Sequence, residues 1–344
     1  MVSTINIPLN SVSSKQKNDS IINIVTNTVG ILLLIAIILL IINPTKYIDS
    51  ILCGTNLFYN SVMPSLLPFF FVSKIIFGLG TLDKMINFFR KPICKIFKVP
   101  SVTSYVFIMS ILCGYPVGAK IIGELEKSDI INKVDAKKMI ALCSTSGPIF
   151  VIGSVGGALF HSVKLGIAIF FCHIFGCIIA GFILSRKFPK MNLDADKFKT
   201  KKCENLLTQS TNSTIISILT VAIYVSIFYM FIDMAYDLKI LGFLSTGLEK
   251  LFNLLNVDTS FAKGISSGVI EMTRGLSEIA TSSNNQLKLI FSTCLISFGG
   301  LSIFIQTLTF LNDTKVKALY LLKIKCLQTI ISGFIAFIVS LALF

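Results

Sequence analysis

Glu271 is the residue whose type and setting point most directly to chemistry. It stands in SGVIEMTRGLSEI (267–279), between apolar arms. A charge at the centre of a bilayer costs about 2.5–3.5 kcal/mol on insertion scales, so such residues mark solute or ion pathways. Glu271 could contact a polar solute or carry a proton. Alternatively it pairs structurally with Arg274, three residues along the same helix face. A second cluster is CGYPVGAK (113–120). Gly114, Tyr115, Pro116 and Gly118 cannot continue a regular helix, and their backbone amides could face a bound anion or polar group. The plainer alternative is close packing of the kind Gly-x-x-x-Gly supports. Lys120 could reach an anionic solute, or it could snorkel to the interface beside Glu124 and Glu126. Ser146-Gly147-Pro148 and Gly299-Gly300 interrupt two apolar runs and would free carbonyls and amides as ligands; otherwise they are simple kinks. Gln306 follows Gly299 by seven residues, about two helical turns, and shares its face. It could serve the same site or an interhelical hydrogen bond.

Other chemistry finds no support. There is no P-loop, no GxSxG elbow, no HExxH and no dinucleotide fingerprint. No carboxylate pair or nucleophile–base couple is legible, so no enzyme, no cofactor and no metal centre is expected. His161 falls in a short loop and His173 in mid-span without an acidic neighbour, so neither is assigned a role. The nine cysteines are scattered, with no C-x-x-C pair, and read mainly as small buried apolar residues.

The elements that must position these residues are membrane helices. The chain has 344 residues, 53% hydrophobic and only 14% charged, with a mean hydropathy of +0.81. Soluble domains carry about 25% charged residues, and disorder requires low hydrophobicity. The net charge of +14 lies in clusters between apolar runs and shows no aromatic-and-basic module, so it speaks for membrane orientation and not for nucleic acid. About 20 apolar residues make a span. Residues 1–20 form a polar tail, and 21–42 an anchor helix followed by no cleavage site. The run 50–80 contains Pro64 and Pro68, where a break or kink is expected. The segment 81–98 has the apolar spacing of an interfacial helix. Residues 101–127 form two short arms around the Gly-Tyr-Pro centre, a re-entrant hairpin. A broken helix over 137–160 and a span over 163–185 follow, then a polar linker.

The second half repeats this plan. It has a span at 214–234, an interfacial segment at 238–257 and a hairpin at 261–283 around Glu271. A helix weakened at Gly299-Gly300 over 287–311 and a last span over 324–344 complete it. With the N-terminus cytoplasmic, inside segments hold 22 Lys or Arg and outside segments hold 5, which favours N-in, C-out with seven spans and two hairpins. Gly147 and Gly299 each precede a glycine of the next span, Gly181 and Gly333, by 34 residues. Cys143 and Cys294 precede the breaks, and Gly114-x-x-x-Gly118 answers Glu271-x-x-x-Gly275. Three spans per half is odd, so the copies run in opposite orientation, an arrangement of many secondary transporters. The chain thus divides into the tail, the anchor, a first repeat over 48–186, a cytoplasmic linker over 187–212 and a second repeat over 213–344.

The stretch CGYPVGAKIIGELEKSDIINKVDAKKMIALCSTSGPIFVIGSVGGALF (113–160) resembles the YlbJ family of sporulation integral membrane proteins, within the nucleoside recognition, or Gate, domain group. SVMPSLLPFFFVSKII (61–76), SGVIEMTRGLSEI (267–279) and SFGGLSIFIQTLTFL (297–311) extend the match. The resemblance implies an inverted repeat like that of concentrative nucleoside transporters. It also implies a place in the mother-cell or forespore membranes during endospore formation. Glu271 and Gly275 match the family's Glu-Met-Thr-x-Gly pattern. The chain departs from the family at Cys113, where Ser is common, and at Ser144-Thr145, where Asn is common. The expected function is moving or recognising a small polar solute, nucleoside-like by the resemblance, with room for a coupling cation and for a homo-oligomer among lipids. The alternative is a non-transporting scaffold for spore-envelope assembly.

Overall fold

A computed structural model describes residues 27–80, 83–186, 205–311, 314 and 316–344. The polar tail, the first residues of the anchor and most of the 187–212 linker lie outside the described residues. The chain divides into two units, residues 1–50 and 51–344. In the first, the described part of the anchor is helix α1 (Asn27–Ile42), which ends at Asn43 before α2 (Pro44–Leu57) begins.

Every regular element among the described residues is helical. In the second unit α2 runs into a π turn (Phe58–Val62) and then α3 (Met63–Gly78). The irregularity expected at the prolines therefore lies just upstream of them, and Pro68 sits inside α3. A proline ring clashes with the carbonyl four residues earlier. For Pro64 that carbonyl belongs to Asn60, inside the widened π turn, where the ring finds room. An amphipathic helix α4 (Asp83–Phe97) follows, and then two short arms, α5 (Thr103–Cys113) and α6 (Val117–Lys127). Each arm is 11 residues long, about 16 Å, roughly half a bilayer's apolar thickness.

The helix expected over 137–160 is two pieces. Helix α7 (Lys133–Leu142) is capped by Asn132 and Asp135 in a reciprocal box. The chain then leaves helical geometry and re-enters as a π-helix (Ile149–Leu159). Helix α8 (Val163–Ser185) is uninterrupted.

The later elements run in the same order. Helix α9 (Leu206–Asp237) is followed by α10 (Ile240–Leu254) and a second pair of short arms, α11 (Phe261–Ile270) and α12 (Met272–Ala280). Then come α13 (Asn285–Phe298), broken from α14 (Gly300–Phe310) at Gly299, and α15 (Ala318–Leu343). The last helix starts six residues before the expected 324. Gly299 and Gly300 have φ of +85° and +72°, a region that only glycine enters at little cost, so the break is set by residue type.

Among the described residues, four helices are long and apolar enough to cross a membrane, α8, α9, the α13–α14 pair and α15, or five if the bent pair Asn27–Ile42 and Pro44–Val62 is one span. Their surfaces reverse the pattern of a soluble protein. On α8, Ile167, Phe171, Phe175, Ile179 and Ile183 form an exposed stripe at a spacing of four, while His173 and Cys177 are buried. On α15, Ile330, Phe334, Phe337 and Leu341 are exposed, and Lys325, Gln328 and Ser332 are buried. Apolar outside and small-or-polar inside is the arrangement lipid demands. Helices α8 and α15 pack against each other and, respectively, against α7 and α13. Gly181 sits against Ala141 and Leu142, and Gly333 against Cys294. The two glycines aligned by spacing thus occupy like places.

Candidate functional site

Each short-armed hairpin turns next to a helix break. At the first, Gly114 has φ +72°, and a Cβ there would strike the backbone nitrogen of Gly147. At the second, a Cβ on Gly300 would meet the carbonyls of Gly268 and Ile270 and the amide of Met272 at 2.9–3.2 Å. Both tips therefore lie backbone to backbone with their own breaks, an approach side chains would prevent.

One cavity lies where these tips and breaks meet. Its volume is about 530 Å³, counting the space open at its mouth, and its lining includes Cys113, Gly114, Tyr115, Ser146, Gly147, Glu271, Met272 and Thr273. Helix α14 contributes Ser302, Ile303 and Gln306. The rest of the lining is apolar: Val62, Leu66 and Phe70 at a spacing of four, Val221 and Val225 from α9, and Phe150 from the π-helix. The lining combines a few polar groups with a larger number of apolar side chains, the usual make-up of a small-molecule site.

Glu271 is 2% exposed. It ends α11 with an extended backbone and starts α12, and its carboxylate accepts the backbone N–H of Arg274 at 2.7 Å. The ion pair with Arg274, one of the two readings from sequence, is not formed. The guanidinium turns instead to Asp233 of α9 at 2.5 Å and to Glu278 at 3.2 Å, and donates to the Tyr229 carbonyl. The side chain of Glu271 is thus held by a helix N-terminus, where an anion is favoured.

The remaining sequence-derived residues divide. Gln306 lines the cavity and donates to Ser302 Oγ at 3.2 Å. Tyr115 lines it, with its hydroxyl donating to the Ile296 carbonyl at 3.4 Å. Pro116, Lys120, Pro148, Gly118, Gly275, Gly299 and Gly300 are not in the lining. Pro116 follows a cis peptide bond, and Pro148 caps the π-helix. Lys120 is half-buried. Gly118 gives passage to the Cys143 carbonyl and the Ser110 side chain, and Gly275 lies on Gly268 and the Gly264 carbonyl. These last two are packing residues of the hairpins.

Sequence reasoning missed Thr273, Ser302 and, behind the cavity, His173. Ser302 and Gln306 share a face one turn apart, so the break at Gly299 pointed to both. His173 is fully buried in α8. Its Nε2 accepts the Ser146 backbone N–H at 2.9 Å, and its Nδ1 lies 2.9 Å from Ser297 Oγ. An amide N–H can only donate, so Nε2 carries no proton and Nδ1–H donates to Ser297. One imidazole thus ties the first break to the residue two before the second. Its partners are 27 and 124 residues away, which no local motif reveals.

Helices of spanning length, a lipid-compatible exterior and a cavity at paired hairpin tips and helix breaks define an all-α membrane protein with a small interior cavity. Compared with curated proteins, the chain is 24% identical over 298 residues to the sporulation integral membrane protein YlbJ of Bacillus subtilis (strain 168), spanning 80% of this chain and 73% of that protein. It is a homologue of that protein. No family model matches the chain, and no solved structure matches it.

Proposed function

We propose that the chain moves or recognises a small polar solute across a membrane during endospore formation, binding it in the cavity between the two hairpin tips. The single observation that carries this reading is the convergence on one cavity of Glu271, both tips, Ser146-Gly147 and the Ser302–Gln306 face. The polar part of the lining offers one carboxylate and several hydroxyl and amide groups, and the apolar part suits a partly hydrophobic body. A nucleoside-like solute fits that division, in line with the resemblance to nucleoside recognition proteins. The two series of elements act as inverted copies of one module, giving seven spans and two re-entrant hairpins. Rocking one set of broken helices against the other would open the cavity to alternate sides. The sporulation setting follows the name of the B. subtilis relative.

Glu271→Gln tests it. The amide retains an oxygen to accept the Arg274 N–H, so the α12 cap and the fold are kept while the charge goes. In a spore-forming host that depends on this chain, heat-resistant spores should fall at unchanged protein abundance. Full sporulation at normal abundance would sink the solute-contact role and favour a scaffold for spore-envelope assembly, because a scaffold tolerates a near-isosteric change. Uridine, as the nucleoside probe, should raise the melting temperature of the purified wild-type chain and not that of Glu271→Gln.

A further inference from the structure

Lys325 is the least expected buried group in the molecule. Counted by sequence among inside-loop basic residues, it lies one-third of the way along α15 and is 0% exposed. Its Nζ stands 3.9 Å from the centroid of the Tyr115 ring. It makes no hydrogen bond among the described residues and no ion pair with any described carboxylate. On the next turn of the same face, Gln328 donates to the Ala141 carbonyl while its own side-chain oxygen has no partner. Snorkelling does not explain a head group that ends against an aromatic ring inside the helix packing.

The groups that face Lys325 can be named element by element. The first hairpin tip presents Tyr115. Helix α8 presents His173 and Cys177, close enough that an ionised form of either would interact with the amine. Helix α13 contributes Ser297, through His173, and α15 itself Gln328. None is an acid of the carboxylate kind. A side chain with three obligatory donors, shut away without an anion, weakens any single fixed structure. Ionisable side chains of this sort inside membrane helices mark ion and proton pathways. Tyr115 supplies the connection to the cavity, because the same residue lines it. A charged Nζ is drawn to the ring face, and a neutral amine is not.

Resting on the solute-cavity reading, we propose that Lys325 is the coupling site of the working cycle: a tethered cation behind the first hairpin tip that stands in for a free coupling ion. The amine takes a proton from water on one side of the membrane, forming an N–H bond, and returns it to water on the other. While protonated it holds Tyr115 against α15; once neutral it releases the ring, and with it one wall of the cavity. The coupling ligand is then a proton and not a metal cation.

Melting of the purified full-length chain in detergent, followed across pH for wild type, Lys325→Met and Lys325→Arg, tests the site without any solute. The Met variant imitates the neutral form and the Arg variant the charged one. The wild type should track Lys325→Arg in acid and approach Lys325→Met in alkali. A wild-type curve parallel to either variant throughout would overturn the proposal. Should neither variant accumulate, NMR of the wild-type chain labelled with 15N at the lysine Nζ reads the amine directly. One buried resonance passing from ammonium to amine supports the site, and its absence overturns it. In sporulating cells, both variants should lose heat-resistant spores at normal abundance, since neither can cycle, and full sporulation by either would remove the coupling role. Loss with Glu271→Gln but no titration at Lys325 leaves the cavity standing without this site. Titration with full activity of Glu271→Gln leaves this site and discards the cavity reading.

Discussion

His173 shows how a single side chain can organise backbone left open by two helix breaks. Its ring fills one orphan donor at Ser146 and takes a hydroxyl acceptor from Ser297. His173→Phe keeps a ring of similar size and deletes both bonds. The Ser146 N–H, buried in a segment without helical partners, is then left unsatisfied. The expected loss is about 1–3 kcal/mol, read as a lower melting temperature in detergent. A change within error would mean that the break is held elsewhere. Gly114 is a second single-residue test. An alanine there must adopt φ near +72°, costing roughly 1–2 kcal/mol, and must also displace the Gly147 backbone. Gly247→Ala, with nothing within 4 Å of the new methyl, should be neutral or slightly stabilising by the same assay. Both glycines look alike in sequence, and neighbours in space separate them. Glu271 was legible because a carboxylate amid apolar residues stands out by type. Lys325 was not, because Lys315, Lys317 and Lys323 within the preceding ten residues made it look like part of a loop cluster.

At the scale of elements, the hairpins are held by two different devices. The first rests its tip on Gly147, while the second is also tied sideways. Arg274 on α12 reaches Asp233 and the Tyr229 carbonyl on α9, and its guanidinium lies 5.1 Å from the Tyr229 ring centroid. Arg274→Gln should therefore loosen α12 from α9 without touching the Glu271 cap, which uses only the backbone of residue 274. Because the guanidinium and Asp233 keep some solvent contact, at 12% and 24% side-chain exposure, the loss is nearer to about 1 kcal/mol than to the 3–5 kcal/mol of a fully buried pair. Hydrogen exchange should rise in α12 and the facing turn of α9 and stay unchanged in α5 and α6. Equal rises in both hairpins would show that the tie is not local. Helices and breaks were readable from apolar run length and from Gly-Gly and Ser-Gly-Pro. The π segments were not: widening to i→i+5 is decided by packing around Pro64 and around Gly156, which lies against Gly166, and no residue type marks it.

For the whole molecule, the outstanding variable is which way each half faces. Helix order repeats and like glycines pack in like places, but orientation in a bilayer comes from charge. Moving Lys325 from the inside loops to the interior lowers the inside count of basic residues from 22 to 21 against 5 outside, and the asymmetry stands. If the halves are inverted, the connector between α8 and α9 and the loop between α10 and α11 lie on opposite faces. Two reporters decide it, with the exposed Cys53 and Cys326 replaced by serine. Native Cys203 sits within the first connector, and Ser260→Cys places a thiol at an exposed position of the second loop. A membrane-impermeant maleimide applied to intact cells should label residue 260 and spare Cys203, and inverted vesicles should give the reverse. The charge cost of translocating seven basic residues in 186–204 predicts near-complete partition and not a mixture. Labelling of both thiols from one face would make the halves parallel. The two hairpins would then enter from the same side, the alternating-access mechanism would lose its geometry, and the cavity would become an ordinary binding pocket.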